Sequence, residues 1–573
     1  MYSAKKNVQI LVALLKEHGV RHAVISPGSR NMALTISLQS DPYFTCYSVV
    51  DERSAAYFAI GVSLAKDEPV MISSTSAQAT RNYIPGMTEA YYRGVPLLIV
   101  TADYRPSMIG QGVMQTVEQL SIPIDSAKRS FALPIVHDRG DEAFCARQVN
   151  EALLELRHHG SGPVHINIPI DDHWDGGVTE LPRVRKLDRY ALDSELPPIP
   201  TGRIMLAIGQ HDSFTDYEIE LLEKFSDRYD AVLYTNHLSN YRGTRAVHGN
   251  LLLENLASRK FAALRPDVVI TLGGQPGDYA FADMMRRIRA QHWRVHEDGR
   301  VQDTYGKLRA VFEMTGERFL AHYVDVNQGS EARDEGFRSL WSAANAKRTI
   351  PEDLPLSHAA IAARLAPRLA TDSVVHFAIL SALRNWNFFE MDRSIQAYSN
   401  VAGFGIDGCM STFIGSAMAS DRPHYLVIGD LSFFYDMNSL GIRGVSDNAR
   451  IILVNNSGGG EFRLYSHAAD TFGDSANEYI AAAGHFGSAR AWAESMGWHY
   501  ASVRDISELD RGLDELFKDH GAPQLLEVVT TMQDDSEGVR RILESNTVED
   551  MERKIARKLS PDTKRMLKRV LGR

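Results

Sequence analysis

The sequence predicts an α/β protein of several doubly wound parallel-sheet domains, and three observations carry that expectation. Short, wholly apolar runs recur along the chain, as expected of strands buried on both faces of a parallel sheet. Amphipathic stretches of helical length lie between them, so strand and helix alternate. Each apolar run stops at a small or polar cluster, which lines such clusters along the edge where open α/β sheets bind ligands. At 573 residues the chain is too long for one core, and length alone suggests three or four domains.

In the first domain, residues 1–185, the run 22–25 leads into Ser26-Pro27-Gly28-Ser29-Arg30. Runs 45–50, 70–73 and 96–101 lead into Asp51-Glu52, Ser74-Thr75-Ser76 and Ala102-Asp103, with helices expected over 54–66 and 78–93. The proline-rich stretch 181–201 reads as an exposed linker. A second unit, 200–345, has strands near 204–208, 231–234 and 268–272, the last followed by Gly273-Gly274-Gln275-Pro276-Gly277. That loop fits a phosphate cradle or, equally, a plain glycine turn. A second linker is expected around 351–355, then a third unit, 357–540, with strands near 374–378, 396–399, 425–428, 451–454 and 523–531.

The remaining 541–573 form a basic tail. Its last part, 551–573, holds nine Lys/Arg against Glu552 and Asp562, with apolar positions at rough helical spacing. It reads as a solvated terminal helix; an anionic membrane surface or a protein partner is the alternative. The net charge of -10 argues against nucleic acid as a partner. Three scattered cysteines (Cys46, Cys145, Cys409) without a CxxC pair fit a reducing, cytoplasmic setting. The first residues read as an amphipathic helix rather than a signal peptide, and no apolar run reaches membrane-spanning length.

The chemistry concentrates in Tyr425–Phe462. One strand ends at Gly429-Asp430, and the next ends at Asn455-Asn456 before the glycines 458–460. Either piece alone is an ordinary turn. Joined at one strand–helix–strand length, they bring a carboxylate, an amide oxygen and a loop carbonyl to one sheet edge. That hard-oxygen set suits Mg²⁺ holding a diphosphate.

The pair resembles the Gly-Asp…Asn-Asn motif of thiamine-diphosphate enzymes. Gly429-Asp430-Leu431-Ser432 is similar to one branch, the menaquinone-pathway 2-succinyl-5-enolpyruvyl-6-hydroxy-3-cyclohexene-1-carboxylate synthases. The resemblance covers roughly residues 5–535 and implies three doubly wound domains of the thiamine-diphosphate enzyme type. It implies Mg²⁺ on Asp430, Asn456 and Gly458, and cofactor contacts from Gly429, Leu431 and Ser432. Glu52, in Asp-Glu-Arg-Ser, would hydrogen-bond N1′ of the aminopyrimidine, which calls for a raised pKa in a dry pocket. As a bare residue Glu52 is also favoured simply by the helix dipole. Ile406 matches the residue that bends the cofactor, and Gln115 a glutamine near the thiazolium. Ser29, Arg30, Arg105, Arg384 and Phe462 match substrate positions, a helix N-terminus beside an arginine being a ready carboxylate site. The resemblance also implies at least a homodimer, in which Glu52 and Asp430 meet across a two-fold interface, and a dimer of dimers is open.

Several substrate positions depart from the pattern. Val401 replaces an arginine, Leu380 a serine with Ser381 one place along, Met114 an asparagine and Glu461 an apolar residue. Arg105 is shifted by one behind Tyr104, and Gly277-Asp278-Tyr279 lies where the family offers basic residues. The expected function is therefore decarboxylation of a 2-oxo acid and ligation to an acceptor, by default 2-oxoglutarate with isochorismate. A divergent carboligase or decarboxylase with another substrate pair is the first alternative. A non-catalytic, cofactor-binding assembly protein is the alternative of another class.

Overall fold

The computed structural model describes residues 1–170, 176–254, 259–325, 336–464, 467–485 and 487–546. The expected tail segment 551–573 lies outside them. The chain divides into two compact units, residues 1–195 with 299–313 and residues 196–298 with 314–573.

The first unit holds a six-stranded parallel sheet in the order Thr45–Ser48, His22–Ile25, Val70–Ser74, Leu97–Asp103, Val164–Pro169, Ser130–Ala132. Its apolar residues alternate between two cores. Leu97, Ile99, Val70 and Ile72 pack with Ala55, Ile60 and Met87 on one face. Leu98, Val100, Ile166 and Met71 pack with Leu11, Leu15 and Val149 on the other. Burial on both faces is why residues 70–72 and 97–100 read as unbroken apolar runs.

The second unit carries two parallel sheets. One contains, in order, Ala246–His248, Val232–Thr235, Ile204–Ile208, Val268–Leu272 and Gln291–Val295. The other runs Gln396–Tyr398, Val374–Phe377, His424–Gly429, Ala449–Asn455, Gln524–Val529, His499–Val503. The strands expected at 425–428 and 451–454 are adjacent and in register, Ile428 opposite Leu453 and Gly429 opposite Val454. Their ends thus reach the same edge.

Two expectations need correction. The stretch 181–201 is not an exposed linker: Asp188–Tyr190 forms a strand parallel to Leu308–Phe312, and Leu187 packs on Leu308 and Val311. Its prolines mask a short ladder between them. The single helix over 78–93 is two, Gln78–Asn82 and Ile84–Arg93, because Pro85 has no N–H to continue the first and starts the second. The glycines after Val268–Leu272 take the plain-turn reading, packed closely: a Cβ on Gly273 would lie 2.6 Å from the Gln210 carbonyl oxygen, and one on Gly277 2.8 Å from Leu383 Cδ2. The helix Met532–Asn546 continues into the expected tail as far as Asn546.

Candidate active site

Asp430 ends its strand and begins the short helix Asp430–Tyr435, with 2% of its surface exposed. Its Oδ1 accepts from Leu431 N–H at 2.7 Å, and its Oδ2 from Gly458 N–H at 3.0 Å. The same Gly458 N–H lies 3.2 Å from Asn456 Oδ1. Two hard oxygens therefore converge on one point of the loop. The turn is tight: a Cβ on Gly458 would sit 2.8 Å from Ala483 Cα, and Ser457 has φ +64°. Asn456 is oriented from behind by its Nδ2, which donates to Asp535 Oδ2 at 2.7 Å, while Asp535 Oδ1 accepts from His358 N–H. Asn455, in contrast, turns away to Glu527 and the Gly487 carbonyl. Burial raises the pKa of Asp430, against the lowering by His485, whose Nε2 is 3.1 Å from Oδ2, and by the two backbone N–H groups. A buried carboxylate pushed upward is one whose charge a divalent cation would stabilise. The residues present fit Mg²⁺ on that ground.

Ser432 Oγ donates to the Ile406 carbonyl at 2.6 Å, which ties the two expected cofactor segments together. Gly429 is the N-cap of the Asp430 helix. Arg384 meets Glu461 at 2.6 Å and lies over the Tyr279 ring, with Ser381 Oγ 3.3 Å from the second Glu461 oxygen. Glu254 stands in the same field. Burial, opposed by Arg384 and assisted by Asp278, Asp283 and Glu461, pushes its carboxyl up to about 7. Phe462 packs edge-on to His467, and Val401 is buried. Leu380, before the Arg384 helix, holds φ +65°, a backbone strain on the order of 1–3 kcal/mol that clusters at functional sites.

In the first unit Glu52 is the first residue of the helix Glu52–Lys66, capped by Asp51, whose side chain accepts from Ser54 N–H. Asn82 Nδ2 donates to Glu52 Oε2 at 3.1 Å. Arg30 is buried, its guanidinium 3.6 Å from the Tyr104 ring centre and bonded to the Ile170 carbonyl. Ser29 and Arg105 are exposed. Gln115 sits in an exposed loop at φ +59°, whereas Gln119 is buried and bridges Ala77 N–H and Asn167. Sequence reasoning missed Asn82, Gln119, Glu254, His485 and Asp535. Of these, only His485 and Asp535 touch Asp430 and Asn456, and both come from segments far along the chain with no motif of their own.

Residues 5–122 match the family model of the thiamine pyrophosphate enzyme N-terminal TPP binding domain, and residues 382–528 that of the C-terminal TPP binding domain. The chain is 36% identical over 553 residues to the 2-succinyl-5-enolpyruvyl-6-hydroxy-3-cyclohexene-1-carboxylate synthase of Bacteroides thetaiotaomicron, covering 93% of this chain and 96% of that one. The chain belongs to this synthase family of thiamine pyrophosphate enzymes. Synthases of the same name from Phocaeicola vulgatus and Flavobacterium johnsoniae are 35% and 28% identical, over 94% and 91% of this chain and 97% and 95% of theirs. It is an enzyme of the thiamine-dependent transferase and carboligase kind, with the α/β fold the sequence predicts. Among the described residues no helix is long and apolar enough to cross a membrane.

Proposed function

We propose that this synthase-family enzyme uses thiamine diphosphate and Mg²⁺ to join a decarboxylated 2-oxo acid to an acceptor, by default 2-oxoglutarate to isochorismate in menaquinone synthesis. The observation that carries it is the convergence of Asp430 Oδ2 and Asn456 Oδ1 on the Gly458 N–H. Asp430, Asn456 and the loop at Gly458 would hold Mg²⁺, while Gly429, Leu431, Ser432 and Ile406 would line the cofactor. When bound, the cofactor supplies the electron sink for decarboxylation. Glu52 would hold the proton at the aminopyrimidine nitrogen, with Asn82 fixing the carboxylate's orientation, and Gln115 would lie near the reacting carbon. Ser29, Arg30, Arg105, Arg384 and Phe462 would bind substrate. We place the protein in the cytoplasm as a homodimer or dimer of dimers, with the three main sheets belonging to domains 1–185, 200–345 and 357–540. Asp430→Ala is the test. It should abolish Mg²⁺-dependent cofactor binding in calorimetry, and unchanged affinity would mean the site is elsewhere.

A second reading is favoured by the ion pair of Arg384 with Glu461. The arginine that would take a donor's distal carboxylate already holds one from its own chain. A donor without that carboxylate, such as pyruvate, would suit this pocket better.

A further inference from the structure

We propose that His158, His159 and Glu313 form a site for a divalent transition metal such as Zn²⁺, separate from the Mg²⁺ loop. These residues lie in the first unit, at the turn after the helix Arg139–Glu155 and at the end of the strand Leu308–Phe312. Side chains of consecutive residues normally diverge. Here His159 takes a left-handed backbone, φ +49°, and both rings face the same carboxylate with centroids 3.9 Å apart. Lys128 locks the turn by donating to the carbonyls of Glu155, His158 and Gly160.

The contacts converge on one carboxylate. His158 Nδ1 is 3.0 Å from Glu155 Oε2, and its Nε2 is 3.1 Å from Glu313 Oε2. His159 Nε2 meets Glu313 Oε1. Both rings thus aim their Nε2 atoms at the two oxygens of one carboxylate, an arrangement that a single divalent ion between them satisfies. Glu155 then plays the orienting carboxylate that metal-bound histidines usually have, with Lys128 and Arg189 at 3.7 and 3.9 Å answering its charge. The ligand atoms lie within 4.8 Å of one another, against about 3.3 Å for the edge of a tetrahedral zinc site. The ion would have to draw in His159, which is 73% exposed, to close the difference. A cavity of about 660 Å³, lined by these residues with His18, Asp193 and Ser194, gives access and room for a fourth, water ligand. The metal would clasp the helix turn to the strand.

The test uses full-length protein with Mg²⁺ and thiamine diphosphate present throughout, stripped of other metals and titrated with Zn²⁺ against a chromophoric chelator. One equivalent should bind, and Co²⁺ in its place should show tetrahedral absorption bands. His159→Ala and Glu313→Gln should each weaken binding at least about a hundredfold, and Glu155→Gln about 10–100-fold. His520→Ala, in the other histidine–carboxylate cluster (His499, Glu515, His520), should leave that equivalent in place. Because His159 is at the surface, the metal-free variant should melt like metal-free wild type. Absence of stoichiometric zinc, or zinc retained by His159→Ala, overturns the assignment and leaves a hydrogen-bonded histidine–carboxylate cluster.

Discussion

At the scale of single residues, the candidate site rests on two arrangements: Asp430 and Asn456 share the Gly458 N–H at the ends of adjacent strands, and Arg384 holds Glu461. Asp430 and Asn456 carry recognisable oxygen ligands at fixed positions after apolar runs. Glu461 reads from the sequence only as a charge nearby; that it pairs with Arg384 depends on how the loop after Asn456 folds back onto the helix Ser381–Trp386. The pair makes a prediction. Both side chains are largely buried, so freeing Arg384 should matter more than at a surface, where such pairs contribute little. Glu461→Gln should lower KM for 2-oxoglutarate by roughly tenfold, about 1.4 kcal/mol, with little change for pyruvate. Equal effects on both donors, in steady-state kinetics, would show that Arg384 does not read the distal carboxylate. Glu254 gives a pH signature. Its folded pKa, raised from 4.5 to about 7, means the native state binds more protons than the unfolded chain between those values. Its contribution therefore falls as pH rises from 4.5 to 7, by roughly 3 kcal/mol at most. Glu254→Gln should melt above wild type at pH 8 and match it near pH 4, and a constant gap in calorimetry would sink this account.

At the scale of elements, the central strands were the most legible feature because burial on both faces leaves their middles mostly apolar, as in Leu97–Asp103 and Ala449–Asn455. Breaks and short ladders were hidden. Pro85 splits a helix that its apolar spacing would continue, and Asp188–Tyr190 carries too little apolar pattern to announce a strand among prolines. Least visible was the helix Met532–Asn546, whose buried Asp535 holds the Asn456 side chain from another segment. Asp535→Ala would leave Asn456 Nδ2 and His358 N–H without their partner, a loss of about 1–3 kcal/mol for each buried group. Thermal stability should fall, and Mg²⁺-dependent cofactor affinity should fall with it, since Asn456 loses its orientation. Asp535→Asn, with one oxygen left to accept, should recover part of both. A variant less stable but with unchanged affinity would confine Asp535 to a structural role.

At the scale of the whole molecule, the helix Glu52–Lys66 points to association. Tyr57, Phe58 and Leu64 are 47%, 43% and 49% exposed along one side. Gly61 lies among them, in a helix interior where glycine costs about 1 kcal/mol relative to alanine. Nothing in its own chain requires that glycine: a Cβ there would meet no atom within 4 Å. Close approach of the same helix from a second copy would require it, and a two-fold axis makes such a contact self-complementary. Because Glu52 begins this helix, association and catalysis should be linked. Wild type should therefore scatter light as at least twice the 63.8 kDa chain. Gly61→Leu, whose Cβ would meet no atom of the single chain within 4 Å, should give a monomer that melts no lower than the dissociated wild type yet turns over little substrate. Gly61→Ala should be milder in both respects. If Gly61→Leu remains a dimer with full turnover, this helix face is not the interface, and the glycine has no role that the single chain explains.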